Sequence, residues 1–264
     1  MRERRSMQTS ARNRVPPIIL LYWVIKIAST TLGETGADMF SMTFKLGYAE
    51  TIGIFLALFA GLFALKMAVR GYHPVVYWLT FTASAIVGTA ISDFIDRTLH
   101  LGYALGSLVL VVLLGAILVA WYWKERSIQV ERITTSGAEV FYWLAFLVAN
   151  TLGTAAGDFL ADNMGLGFVR GAAVLSGALL VLGLLYRFTK TPKVLLFWLA
   201  FVLTRPFGAT FGDFLTKPTS QGGIQFGTVG SSIVFSAILV VAIAWEMQLE
   251  RRRTATEVVA APAA

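Results

Sequence analysis

The chain has 264 residues, 56% of them apolar and only 14% charged, with a net charge of +7 and a mean hydropathy of +0.70. That composition excludes an ordinary water-soluble domain, and the absence of cysteine excludes a disulfide framework, a thiolate metal site and thiol chemistry. The basic residues gather at the ends of apolar runs, as topology signals do, so the positive charge does not point to nucleic acid as a partner.

Taken in order, residues 1–15 form a basic arm with Arg2, Arg4, Arg5, Arg12 and Arg14. The arm imitates a signal peptide, but the apolar run behind it is the first copy of an internal repeat, so no cleavage is expected. Eight hydrophobic segments follow, near 16–38, 48–68, 74–95, 101–123, 138–160, 166–187, 193–214 and 224–246. Uncharged runs such as 75–92, 101–123 and 140–157 are long enough, or nearly so, for a bilayer core of roughly 30 Å at about 1.5 Å per helical residue. They are continuous rather than alternating in period two, which disfavours a β-barrel. The expected fold is an all-α membrane protein with eight transmembrane helices from four parallel two-helix repeats, about 16–73, 74–130, 138–192 and 193–247. The tail at 248–264, ending rich in Ala and Pro, reads as disordered and cytoplasmic.

The repeat rests on fixed spacing. Trp23, Gly33 and Asp38 recur as Trp78, Gly88, Asp93, as Trp143, Gly153, Asp158, and as Trp198, Gly208, Asp213. Nine residues beyond each aspartate stands a glycine: Gly47, Gly102, Gly167 and Gly222. Even-numbered segments begin with small residues four apart (Gly47/Thr51, Gly102/Gly106, Gly167/Gly171, Gly223/Gly227), which reads as close helix packing. Of the 22 Lys and Arg, 16 lie in the arm, in the loops after even-numbered segments or in the tail, which puts both termini in the cytoplasm. The seven tryptophans all fall near that side and read as an interfacial belt.

Stepping back in fours from each aspartate follows one helix face. The four stripes read Asp38, Glu34, Thr30, Lys26; Asp93, Thr89, Ala85, Phe81; Asp158, Thr154, Asn150, Phe146; and Asp213, Ala209, Arg205, Phe201. Each odd-numbered segment is thus polar toward the aspartate end, and four such faces are expected to converge on one axis, shielded by the even-numbered segments. Candidate pathway residues are Lys26, Glu34, Asp38, Asp93, Asn150, Thr154, Asp158, Arg205 and Asp213, with Gly33, Gly88, Gly153 and Gly208 as structural glycines. Arg205 lies about 10 Å from the tryptophan level and should pair inside the bundle, with Glu34 the first-choice partner. Lys26 lies shallower and can snorkel to the interface. The competing account of the aspartates is that Gly-x4-Asp-Phe ends one helix and caps a short following turn. Buried acid clusters are costly unless a cation or proton neutralises them, and Asp96 and Asp162 add to the acid count nearby.

No catalytic constellation is visible. His73 and His100 fall in loops on opposite sides, and no phosphate-binding glycine loop, metal-binding His spacing or nucleophile elbow occurs. No cofactor is expected. A metal, if bound, would have oxygen ligands, which favours Mg, Ca or Mn over Zn or Cu.

The four Trp-x9-Gly-x4-Asp blocks, with Asn150-Thr151-Leu152-Gly153-Thr154 and Gly157-Asp158-Phe159 as the fullest copy, resemble a bacterial family of integral membrane proteins. That family is built from four copies of a roughly fifty-residue repeat of unknown function. The resemblance spans about residues 18 to 247 and implies a bacterial inner-membrane location. Copy one departs by carrying Glu34 where copies two and three carry Thr89 and Thr154, and copy four by carrying Arg205-Pro206 where copy three carries Asn150-Thr151. The first functional reading is a secondary transporter or permease with a central acidic pathway for a cation, a hard metal ion or one coupled to protons, rather than an enzyme. The second is a permease for a small anionic metabolite contacted by Arg205 and Lys26. The third, of another class, is a non-transporting membrane scaffold or stress-related protein. The partners expected are the lipid bilayer and a small ion or metabolite.

Overall fold

The computed structural model describes residues 14–69, 71–130 and 133–260, with side chains as far as residue 252. Within them lie eight α-helices and no strand: α1 Leu20–Asp38, α2 Tyr48–Ala68, α3 Pro74–Asp93, α4 Tyr103–Glu125, α5 Ser136–Asp158, α6 Gly167–Phe188, α7 Lys193–Thr216 and α8 Thr228–Ala260. Local chemistry sets several starts. Pro74 opens α3, where its missing N–H costs no hydrogen bond, and the Thr135 hydroxyl caps α5 by accepting from the Ala138 N–H at 3.1 Å.

Seven of the helices, α2 to α8, are long and apolar enough to cross a membrane. α1 is the exception, because Lys26, Glu34 and Asp38 interrupt it. Its burial explains how it tolerates them: 14 of its 19 residues are buried against other helices. A helix enclosed by protein need not be apolar all round.

The packing is a ring within a ring. α1 packs on α3, α3 on α5, α5 on α7, and α7 back on α1. Outside them α2 lies against α3, α4 against α5, α6 against α7, and α8 against α1. Each outer helix therefore covers the inner helix of the following repeat, and α8 closes the circle on the first. The inner helices α3, α5 and α7 are 78, 67 and 50% buried, the outer ones only 17–28%. The outer helices turn Leu58, Val112, Leu180 and Val240 outward, a surface suited to lipid chains.

The repeat glycines make the inner contacts possible. A Cβ on Gly33 would stand 2.6 Å from the Ala85 Cβ, and one on Gly88 2.8 Å from the Asn150 Cβ. A Cβ on Gly153 would collide still harder with Arg205, and one on Gly208 with Thr30. Every repeat glycine thus receives the residue that stands three positions before the same glycine in the next helix. The interlock runs once round the ring.

Three inner helices end alike. Just after Asp38, Asp93 and Asp158 the backbone widens into a π-helical turn, at Met39–Thr43, Phe94–Thr98 and Phe159–Asn163. Each closes by an i+5 bond, Phe44 N–H to the Met39 carbonyl at 2.8 Å in the first. A left-handed pair then turns the chain into the outer helix: Lys45 and Gly47, His100 and Gly102, Gly165 and Gly167. The fourth copy departs. α7 runs on to Thr216, a short 3-10 turn at Thr219–Gln221 follows, and the left-handed pair is Gln225 and Gly227. The counterpart of Gly47 is therefore Gly227 rather than Gly222, and the small pair that opens α8 is Gly227/Ser231 rather than Gly223/Gly227.

Two further expectations are corrected, and a third lies mostly outside the described residues. Residues 1–13 of the basic arm lie outside the described residues, but its end is docked. The Arg14 N–H donates to the Ile133 carbonyl at 3.0 Å and Val15 is buried. The tail does not start disordered at 248, because α8 continues to Ala260; no glycine or proline interrupts the chain before Pro262. The tryptophans are not a belt. Trp78, Trp121, Trp143 and Trp198 are buried in an aromatic core, and only Trp123 and Trp245 are prominently exposed.

Candidate functional site

Equivalent residues of the four inner helices meet in tiers, so these helices run in one direction around a pseudo-fourfold axis. At the tryptophan end the tier is Tyr22, Tyr77, Tyr142 and Phe197, with the Tyr77 and Tyr142 hydroxyls 2.5 Å apart. Four residues on comes Lys26 with Phe81, Phe146 and Phe201. These rings pack edge to face, with centroids 4.8 Å apart for Phe81–Phe146 and 4.4 Å for Phe146–Phe201, and close the axis. The Lys26 ammonium is buried 4.1 Å above the Phe201 ring, donates to the Phe201 carbonyl at 2.9 Å and makes a short bond to Thr204. It does not snorkel.

The next tier holds Thr30, Ala85, Asn150 and Arg205. The Arg205 guanidinium crosses the axis and donates to the backbone carbonyls of all three equivalents: Nε to Asn150 at 3.1 Å, Nη1 to Thr30 at 2.7 Å and Nη2 to Ala85 at 3.1 Å. Nη2 also donates to Thr89 and, at 2.9 Å, to Thr154. Asn150 is fixed separately, its amide donating to the Ser84 hydroxyl at 2.9 Å. Pro206, inside α7, follows Arg205 directly and lacks the N–H an ordinary residue would contribute to that helix.

Above it stand Glu34, Thr89, Thr154 and Ala209. Glu34 Oε2 accepts from Thr89 at 3.1 Å and Thr154 at 3.3 Å and lies 3.8 Å from Arg205 Nη2, so the expected Arg205–Glu34 pair is formed. The last tier is the aspartate ring. Arg97 Nε is 3.2 Å from Asp93, and Lys217 Nζ donates to Asp38 at 2.8 Å and lies 3.1 Å from Asp213. Burial pulls the Lys217 ammonium toward its neutral form, but Asp213 and Asp38 outweigh it and hold it charged, its pKa above the ordinary lysine value. Asp158 has no cation within 4.0 Å among the described residues. It is 3% exposed, and its Oδ2 has no hydrogen-bond partner. None of Asp38, Asp93 and Asp158 caps the turn that follows it, so capping does not account for them.

A cavity of about 830 Å³ opens over this ring, lined by Asp158, Asp213, Arg97, Asp162, Met42 and Lys217. The last four stand four residues beyond the aspartates and form one more tier. Five buried carboxylates (Glu34, Asp38, Asp93, Asp158, Asp213) therefore face three cations (Arg205, Arg97, Lys217), an arrangement that gains from an added cation or proton. Asp96 does not join them; it turns toward Gly106 on α4.

Arg97 and Lys217 are not among the pathway residues expected from the sequence. Their i+4 spacing from Asp93 and Asp213 was the available signal. A second polar cluster at the tryptophan end was missed. The Lys66 ammonium, fully buried, donates to Glu139 at 2.6 Å, and Arg14 reaches the other Glu139 oxygen at 2.5 Å. Glu246 of α8 accepts from Tyr72 and from the Trp78 indole, each at 2.7 Å. These contacts tie the outer helices to the inner ring.

A family model described as Repeat of Unknown Function (DUF347) matches the chain four times, at residues 21–72, 76–127, 141–191 and 196–252. No curated protein and no solved structure matches it.

Proposed function

The chain belongs to this repeat family, whose function is unknown, and from the geometry of its axis we propose that it is a carrier admitting a small cation, or protons, to the aspartate ring. It is a multi-pass protein of the bacterial inner membrane, with eight spans in four parallel repeats and both termini cytoplasmic. α1 counts as a span because its charges face the ring rather than lipid. The aspartate ring and its cavity then open to the outside, on the side poor in Lys and Arg. Arg205 and the phenylalanine tier close the other side, as an outward-open state of a secondary transporter requires. The reading is one of carriage rather than catalysis.

The observation that carries this reading is Asp158. It is a buried carboxylate without a cation partner among the described residues, it lines an open cavity, and it sits in a ring whose other three members have one. The anion-permease reading is less well supported. Arg205 spends four of its five N–H donors on fixed protein acceptors and Lys26 two of its three, which leaves little for a substrate anion. A scaffold would have no need of an unpartnered acid beneath a cavity.

The test is flux of H⁺, Na⁺, K⁺, Mg²⁺, Ca²⁺ and Mn²⁺ in sealed liposomes holding the purified protein. At least one should cross faster than in empty liposomes, and Asp158→Asn should cut that flux at least about tenfold. No flux of any of them would remove the carrier reading. Flux unchanged in Asp158→Asn would move the pathway away from the ring.

A further inference from the structure

Glu34, Asp38 and Asp213 bring one carboxylate oxygen each together, the three oxygens lying within 4.8 Å of one another. All three side chains are more than nine-tenths buried, and Asp38 Oδ1 has no hydrogen-bond partner. The spread suits a hard cation held at about 2.0–2.6 Å from oxygen ligands. Two of the three are bridged by the Lys217 ammonium, 2.8 Å from Asp38 and 3.1 Å from Asp213. Lys217 is the first residue beyond α7, in the copy that lacks the π turn, and its own side chain lines the cavity. The charge count selects the ion. Glu34 shares its charge with Arg205. Once Lys217 withdraws, Asp38 and Asp213 leave two negative charges uncompensated, which matches one divalent cation.

We propose that Glu34, Asp38 and Asp213 form a binding site for a hard divalent cation of the Mg²⁺, Ca²⁺ and Mn²⁺ class, and that Lys217 is its tethered competitor. The ion enters through the cavity, Lys217 swings out into it, and the return of Lys217 drives release. The inference rests on the reading of the ring as a cation pathway and names the class of cation.

Mn²⁺ titrated calorimetrically into the purified full-length protein tests it. Lys217→Gln should bind one Mn²⁺ at least about tenfold more tightly than the parent, and Lys217→Arg should bind like the parent. Adding Asp213→Asn to Lys217→Gln should abolish the gain. Equal affinity in parent and Lys217→Gln, or a gain that survives Asp213→Asn, overturns the proposal. If Lys217→Gln folds poorly, Mn²⁺ during purification should restore its yield, since a ligand of the native state stabilises it, and no rescue overturns the proposal equally. Binding with these ratios but no flux in liposomes keeps the site and removes the carrier; flux of a cation without Mn²⁺ binding does the reverse.

Discussion

A guanidinium in the middle of a helical ring can be kept charged only if its donors find acceptors that do not move. Arg205 finds them in the three carbonyls of its own repeat-equivalents. The acceptors are planar peptide groups on three sides, which a forked, planar donor can reach and a lysine ammonium cannot. Arg205→Lys and Arg205→Ala should therefore both destabilise the protein, the alanine by about 3–5 kcal/mol because Glu34 is left buried without its cation. Glu34→Gln should be milder, since Arg205 keeps its carbonyls. The 3.8 Å contact should still show in a double-mutant cycle of Glu34→Gln and Arg205→Ala, with a coupling of roughly 0.5–3 kcal/mol. Thermal unfolding in detergent measures it, and purely additive losses would mean that the contact carries no interaction. Counting in fours was enough to propose this pair from sequence, because a helix face is periodic. That Arg205 also binds backbone was not legible, since carbonyls carry no residue identity.

At the scale of elements, one glycine per inner helix sets the spacing of the ring. The test compares two glycines of similar helical context. Gly88→Ala puts a methyl 2.8 Å from the Asn150 Cβ and 2.9 Å from the Thr151 nitrogen, both fixed by backbone. Gly61 on α2 has nothing within 4 Å. Gly88→Ala should cost about 1–3 kcal/mol or more by overpacking. Gly61→Ala should be neutral or stabilising by up to about 1 kcal/mol through helix propensity. Equal melting temperatures would show that the inner helices do not approach at this glycine. The same elements mark where sequence stopped being informative. A tryptophan near a helix end suits an interface and an aromatic core equally well, and period alone cannot separate them, so Trp78 and Trp143 read as belt residues. The fourth copy misled for another reason. Its connector exchanges a π turn for a longer loop, so a fixed count of nine residues lands on Gly222 instead of Gly227. Lys217 opens that irregular connector, yet it keeps the position, four residues beyond the aspartate, that Met42, Arg97 and Asp162 hold in the other copies.

For the whole molecule, the question is whether four repeats in line close on themselves. Nothing in the sequence joins the last repeat to the first; closure depends on α7 and α8 finding α1. The structure offers a direct probe of that join. Thr43, in the turn after α1, and Thr228, at the start of α8, touch through their hydroxyls at 2.7 Å across 185 residues of chain. Deeper in the same seam, the Ser232 hydroxyl donates to Thr35 Oγ1 at 3.0 Å. The chain contains no cysteine, so Thr43→Cys with Thr228→Cys would be its only thiols. Side-chain oxygens in contact place the two Cβ atoms near the separation a disulfide needs, about 3.5–4.5 Å. Mild oxidation should yield an intramolecular disulfide, seen as a faster-migrating monomer that reverts on reduction. A disulfide-linked dimer would mean that first and last repeats meet between chains, and no crosslink at all would mean an open array. The same thiols report orientation. A membrane-impermeant maleimide added to intact cells should modify Thr43→Cys alone if the aspartate end faces outward. A thiol that reacts only after the membrane is opened would reverse the topology and, with it, the side from which the cation enters.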